Sequence, residues 1–298
     1  MVLPALKMPN FTKIFKFLLP KTPSPENFSD ECGLPPELKD MIVSYIHDIN
    51  TLCALSLTCH SWHISTLPRL HHSLRTCVVA KHSNKWDRWS RPLEQLHKGH
   101  LLPLVKHLCI SATKDFGFYP IPHDTGFGLP SNTLPSLSSH KNLRYFSALK
   151  NLQELTIEGI QLPSITSNVK QCFGHFAPTL QSLTLSHLSA SCHQILYFIG
   201  LFPNLQDLML YDCCHGWREK TIATLVPLSK PPLSRWLVLK SCHQDSLVDK
   251  MTSFYGGLNF RFVELFKSIF TEQVLPACAE TLETFQLHEG DHTGEKLP

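Results

Sequence analysis

Three apolar residues spaced three and then two apart recur along the chain, and this frame limits the fold more than any other feature of the sequence. It is met by Val105-Leu108-Ile110, Leu152-Leu155-Ile157, Leu180-Leu183-Leu185 and Leu205-Leu208-Leu210. Ser234-Leu237-Leu239, Phe260-Val263-Leu265 and Leu282-Phe285-Leu287 meet it more loosely. The last two positions stand two residues apart, the period of a short strand whose alternate side chains point to one face. One such strand cannot bury that face alone, so the strands must stack side by side.

Counted between middle residues, successive intervals from Leu155 are 28, 25, 29, 26 and 22 residues. These lie within or near the period of about 20 to 29 residues of a leucine-rich repeat, in which each turn of the chain adds one strand to a parallel sheet. The interval from Leu108 to Leu155 is 47 residues and holds a stretch rich in Gly, Pro and Ser, from Lys114 to Leu137, that is expected to be a long loop. Cys213 and Cys242 fall where this repeat often places Asn or Cys to bond the turn after the strand. Thr113, Ile160, Leu188, Ser268 and Gly290 take that place elsewhere, so the array is irregular. Gln194 to Phe202 and Phe262 to Cys278, apart from Pro276, are expected to be helical and to form the opposite wall. Leu74 to Ala80 reads as an earlier strand, and Trp86, Trp89, Leu93 and Leu96 as an intervening helical face.

Ahead of the array, Pro36 in Gly33-Leu34-Pro35-Pro36-Glu37-Leu38 suits a first helical turn, where its missing N–H has no intrahelical partner. Leu38, Ile42, Tyr45, Ile46 and Ile49 recur at three and four residues and form one apolar stripe. Asn50 is expected to cap a second helix carrying Leu52, Leu55, Cys59 and Trp62, which Pro68 ends. Two short helices bury too little apolar surface to stand alone, since domains below about 40 residues usually need metal, disulfides or a partner. Leu34, Pro35 and Leu57 are left over as an exposed patch of the kind that marks a binding surface.

The expected class is therefore α/β: short N-terminal helices followed by an irregular solenoid of the leucine-rich-repeat type, with a parallel sheet on one face. The expected organisation is a tail and linker over 1–30, a helical module over 31–75 and the array over 76–298, with the loop insertion near 114–137.

Composition narrows the function classes. A net charge of +3 on 298 residues gives no global field for nucleic acid or an anionic surface. Eleven scattered cysteines, none paired as C-x-x-C and none preceded by a secretory signal, read as reduced thiols of the cytoplasm or nucleus. The first 25 residues carry Lys7, Lys13, Lys16 and Lys21 and no acidic residue, with Phe11, Ile14, Phe15, Phe17 and Leu18 between them. The expectation is a disordered tail; a short basic amphipathic helix on an anionic membrane, or a transit-like signal, is the alternative. Pro4, Pro9 and Pro20 keep any helix there far short of the ~20 apolar residues of a membrane span.

The most enzyme-like string is His288-Glu289-Gly290-Asp291-His292, a literal H-E-x-x-H. Zinc proteases carry that motif on a helix, whereas here it follows an expected strand and contains Gly and Asp, which are poor in helix interiors. It is read as a polar loop. Cys59-His60 with His63, Cys192-His193, Cys213-Cys214-His215 and Cys242-His243 lack metal-finger spacing, and with 18 His and 11 Cys such neighbours arise by chance. No phosphate-cradling, dinucleotide or nucleophile-elbow motif occurs, and Gly256-Gly257 reads as the turn before a strand. No catalytic residue, no metal and no cofactor is expected.

Residues 34 to 75, reading LPPELKDMIVSYI and then TLCALSLTCHSW, resemble an F-box, whose usual form is LP-x-E-L, an apolar helix and L-x-x-L-S-L-T-C-x-x-W. The remainder resembles fungal F-box proteins with degenerate leucine-rich repeats, through FSALKNLQEL, FGHFAPTLQSLTL, QILYFIGLFPNLQDLML, and GGLNFRFVELF with CAETLETFQL. The departures are Pro276, the His288-Glu289-Gly290 stretch and the end at Pro298, which implies either a shortened array or a frayed last turn.

The resemblance implies a non-catalytic substrate-recognition adaptor of a Skp-cullin-F-box type ubiquitin ligase. It implies binding to the Skp-type adaptor, and through it a cullin, with an unknown target protein held by the repeats. Leu34, Pro35, Leu38, Ile42, Ile46, Leu55, Leu57, Cys59 and Trp62 are the residues it assigns to the adaptor contact, some of which must also hold the helices together. An interaction protein or decayed copy that binds only the Skp adaptor is the alternative function.

Overall fold

The computed structural model describes residues 33–77, 91–111, 140–159, 173–188, 190–213, 232–240, 246–255, 258–266 and 271–288. The chain divides into two compact units, Met1–Thr66 and Leu67–Pro298.

In the first unit, α1 (Pro36–Tyr45) begins with proline at its first position, and the amides of Leu38 and Lys39 bond the Pro35 carbonyl at 3.1 and 3.2 Å. Gly33 precedes it with φ +43°, a conformation in which glycine avoids the steric cost that a Cβ carries. α2 (Ile49–Ser56) is capped by Asp48 rather than the expected Asn50: the Asp48 carboxylate accepts from the Thr51 amide. Cys59 lies beyond its end, and a third helix, α3 (His60–Leu70), carries Trp62. The expected single second helix is thus two, and Pro68 sits inside the last turn of α3 instead of ending it. A proline removes one amide there, and the Thr66 hydroxyl bonds back to the Trp62 and His63 carbonyls at 2.9 Å each.

The second unit is built on one eight-stranded sheet in the order β1-β2-β3-β4-β5-β6-β7-β8. The strands are β1 (Ser73–Cys77), β2 (His107–Ser111), β3 (Glu154–Glu158), β4 (Ser182–Ser186), β5 (Asp207–Tyr211), β6 (Trp236–Lys240), β7 (Phe262–Leu265) and β8 (Thr284–Leu287). Every neighbouring pair is parallel and in register. The frame is the cause. Leu74, Leu108, Leu155, Leu183, Leu208, Leu237, Val263 and Phe285 fall in one column, and Thr76, Ile110, Ile157, Leu185, Leu210, Leu239, Leu265 and Leu287 in the next. From β2 to β7 both columns are buried, and each fully buried aliphatic side chain contributes roughly 1.5–3 kcal/mol.

Helices lie in the crossovers between strands: α4 (Arg91–Lys98), α5 (His140–Ala148), α6 (Cys192–Ile199), α7 (Ser246–Tyr255) and α8 (Thr271–Cys278). Leu93 and Leu96 of α4 are buried as expected, while Trp86 and Trp89 lie outside the described residues. α6 starts from a capping box between Ser191 and Gln194. The expected helix from Phe262 to Cys278 is corrected: Phe262–Leu265 is strand, because Val263 and Leu265 alternate into the core, and α8 begins only at Thr271. Pro276 lies within α8. Phe173, Phe176, Phe198 and Phe202 pack behind the sheet, with ring centroids of consecutive edge-on pairs 5.3–5.6 Å apart.

Side chains also tie four of the crossovers to the one before. Asn151 donates to the Pro103 carbonyl at 2.8 Å and Asn204 to that of Pro178 at 2.6 Å, while Thr179 donates to Leu152 at 2.8 Å and Thr281 to Phe260 at 3.2 Å. All four donors stand four residues before the middle strand position. In the crossover before β6 that place is held by Leu233, whose own amide, at φ +40°, donates to the Leu205 carbonyl at 3.0 Å. This displaces the expected frame there: Leu233 is buried and Ser234 only half-buried. Cys213 bonds the Leu185 carbonyl at 3.3 Å across strands, the turn-bonding place read from the sequence. Cys242, the insertion 114–137 and Gly256-Gly257 lie outside the described residues.

Candidate docking face on the front helices

α1 turns its apolar stripe outward. Leu38, Ile42 and Tyr45, which recur along one side of the helix, are exposed, Tyr45 to 76%. The side turned inward carries Val43 and, unexpectedly, Lys39, only 3% exposed. Lys39 Nζ donates to Ser61 Oγ on α3, so its buried ammonium keeps a hydrogen-bond partner while its aliphatic stem packs inward. Val43, Leu52 and Trp62 are the buried hydrophobic residues described in this unit.

The nine residues read from the sequence separate by burial. Leu34, Pro35, Leu38, Ile42 and Leu57 are exposed, Leu57 to 61%; Ile46, Leu55 and Cys59 are half-buried; Trp62 is buried at 8% exposure. Tyr45 and Ile49 of the expected stripe are exposed as well, and Met41 and Ile64 are further exposed large hydrophobics that the sequence reading did not single out. Met41 stands three residues after Leu38 and four before Tyr45, so its place on the stripe was legible from the spacing, whereas Ile64, five residues after Cys59, stands off the stripe of its helix. Eight large apolar side chains left to solvent between residues 34 and 64 are more than scattered surface hydrophobics require.

The helices that carry this face are fixed by local chemistry. The Asp48 carboxylate accepts from both the Thr51 hydroxyl at 2.7 Å and its amide at 2.8 Å, and these bonds hold its carboxyl below the ordinary value. Asp48 with a threonine three residues on was the legible signal for this cap.

His288 follows β8, with Nε2 2.9 Å from Glu264 Oε1 and its ring stacked on Phe266 at 4.4 Å, while the rest of the H-E-x-x-H string lies outside the described residues. Among the described residues no group of three His, Cys, Asp or Glu side chains is placed to hold a metal ion, and no helix is long and apolar enough to cross a membrane. Cys53, Cys59 and Cys278 carry free thiols.

No curated protein matches the chain. The segment that carries the exposed face does have a recognised counterpart: residues 32–76 match the family model described as F-box-like.

Proposed function

We propose that this protein is a non-catalytic substrate-recognition subunit of a Skp-cullin-F-box type E3 ubiquitin ligase. Residues 34–64 dock on the Skp-type adaptor, and the sheet face of the second unit holds a target protein. The observation that carries the first half is the outward apolar stripe of α1 within the segment that matches the F-box-like model. Leu34, Pro35, Leu38, Ile42 and Leu57 make the contact, with Ile46, Leu55 and Cys59 behind them and Trp62 holding the helices together.

The second half is supported by the sheet. Eight parallel strands in sequential order, joined by helical crossovers, agree with an irregular leucine-rich-repeat solenoid like that of the fungal F-box proteins the sequence resembles. Such an array offers one continuous face to a protein ligand. The mechanism is proximity: tethering a target lysine near the charged carrier enzyme makes their encounter effectively intramolecular. Free thiols fit a place in the cytoplasm or nucleus.

Co-purification tests the assignment. The parent chain is expected to bring down the Skp adaptor and a cullin, and the double variant Leu34→Ala with Pro35→Ala to lose both while melting at the same temperature. Adaptor without cullin would identify a scaffold outside the ligase; neither protein with the parent chain would reject the docking face.

A further inference from the structure

Among the described residues of the second unit, Trp236 is the exposed large hydrophobic side chain, at 38%. It begins β6 on the outer side of the sheet, and its indole is stacked on the ring of Phe262 in β7, 5.1 Å between centroids and 20° between planes. Its other strand neighbour is Asp207, which accepts the Trp236 amide at 3.2 Å. Beyond Asp207 the same row continues with Ser182 and then Glu154. A serine between two carboxylates leaves a depression of about 340 Å³ walled by Glu154, Asp207, Met209 and Trp236.

The charge in this depression is unbalanced. Among the described residues two carboxylates face it against one guanidinium, that of Arg235, whose nitrogen is 3.6 Å from Asp207 and whose side chain is itself about half in solvent. The side chain of Asp207 is 11% exposed, so its charge lies inside the wall while its counter-charge lies outside. Glu154 has His107 Nε2 at 3.1 Å on its far side. An aromatic platform beside an under-neutralised buried carboxylate suits a planar cation: a guanidinium stacks on an indole and offers parallel N–H donors to a carboxylate, which an ammonium does less well.

We propose that this depression receives an arginine side chain from an extended segment of the target protein, its guanidinium over Trp236 and against Asp207, with Ser182 as the floor. The proposal rests on the reading of the sheet face as the target-binding surface and names the chemistry of that target.

The test follows the indole N–H resonance of Trp236, identified by its loss in Trp236→Phe. The full chain, with and without the Skp adaptor, is titrated with the pentapeptide Ac-Gly-Ala-Arg-Ala-Gly-NH2 and with its citrulline and glutamate counterparts. The arginine peptide is expected to shift the resonance saturably and at least tenfold more tightly than citrulline. Asp207→Asn is expected to weaken it about tenfold, and Ser182→Leu, which fills the floor, to abolish it. Equal responses to arginine and citrulline, a stronger response to glutamate, or an unchanged titration in Asp207→Asn would overturn it. Adaptor binding, measured on the same samples, reports separately on the ligase reading.

Discussion

The hydroxyl of Thr179 donates to the carbonyl of Leu152 at 2.8 Å, so the crossover before β4 is fastened to the one before β3 by a side chain. The same hydroxyl reaches the Phe176 carbonyl at 3.0 Å. Thr179→Val keeps the shape and removes both bonds; the Phe176 carbonyl keeps the amides of Thr179 and Leu180, while that of Leu152 is left short of a donor. A loss of about 1–3 kcal/mol is expected from the urea midpoint; an unchanged midpoint would show that water replaces the rung.

Position within the strand decides what a truncation costs. Leu183 lies in the inward column between Leu155 and Leu208 and is fully buried, so Leu183→Ala is expected to cost roughly 2–5 kcal/mol. Its neighbour Thr184, on the outer side, is half-buried, and Thr184→Ala is expected to stay within about 0.5 kcal/mol. Comparable losses at the two positions in chemical denaturation would contradict the assigned faces.

On the front helices, stability and docking are expected to separate. Leu57→Asp and Ile42→Asp alter exposed side chains and should leave melting unchanged while reducing Skp-adaptor binding at least tenfold. Trp62→Ala should lose both, because removing a buried tryptophan costs about 3–5 kcal/mol. Calorimetry paired with a pull-down reads both quantities on each variant.

Two aspartates impose opposite pH dependences. Bonds from Thr51 hold the Asp48 carboxyl below 3.8, so its contribution is present above that value and disappears as pH falls through the lower folded pKa. Burial pushes the Asp207 carboxyl above 3.8, against the pull of Arg235 and the Trp236 amide, so the folded chain takes up that proton first and gains stability as pH falls through the raised value. Asp48→Asn should therefore flatten the acid-side loss of stability and Asp207→Asn should steepen it. Denaturation midpoints across about pH 3 to 6 check both signs.

Cys278 is buried in α8, and burial pushes its thiol up to about 11. It is expected to resist iodoacetamide in the folded chain at neutral pH while the half-buried Cys53 and Cys59 react, as peptide mapping would show. Early labelling of Cys278 would indicate that the last helix opens readily.

The strands were legible because their cause is simple: alternate Leu, Ile and Val side chains need one buried face, and that need fixes both column and register. Places where a second requirement competes were less legible. Phe262 to Cys278 contains apolar residues that satisfy either period, and the strand prevails at its start because β6 supplies a partner edge. Leu233 enters the core in place of Ser234, with its amide bonded to the Leu205 carbonyl of the crossover before β5 and with an unusual φ, a combination that no spacing encodes. In α1 the spacing identified the stripe but not its direction: a periodic apolar face can look inward or toward a missing partner, and the burial of Lys39 on the other side gives the direction. The split between α2 and α3 escaped because the three-and-four apolar spacing runs unbroken from Leu55 to Cys59 and Trp62.

The interval of 47 residues from Leu108 to Leu155 leaves β2 and β3 side by side, as firmly in register as β4 and β5, whose middle residues are 25 apart. Contour length is thus uncoupled from neighbour order, and the sheet reads succession alone. A fluorescent tag or an additional domain spliced between β2 and α5 would leave the order of the strands as it was, and descendants of such a chain are free to gain or shed appendages there without relearning how to fold.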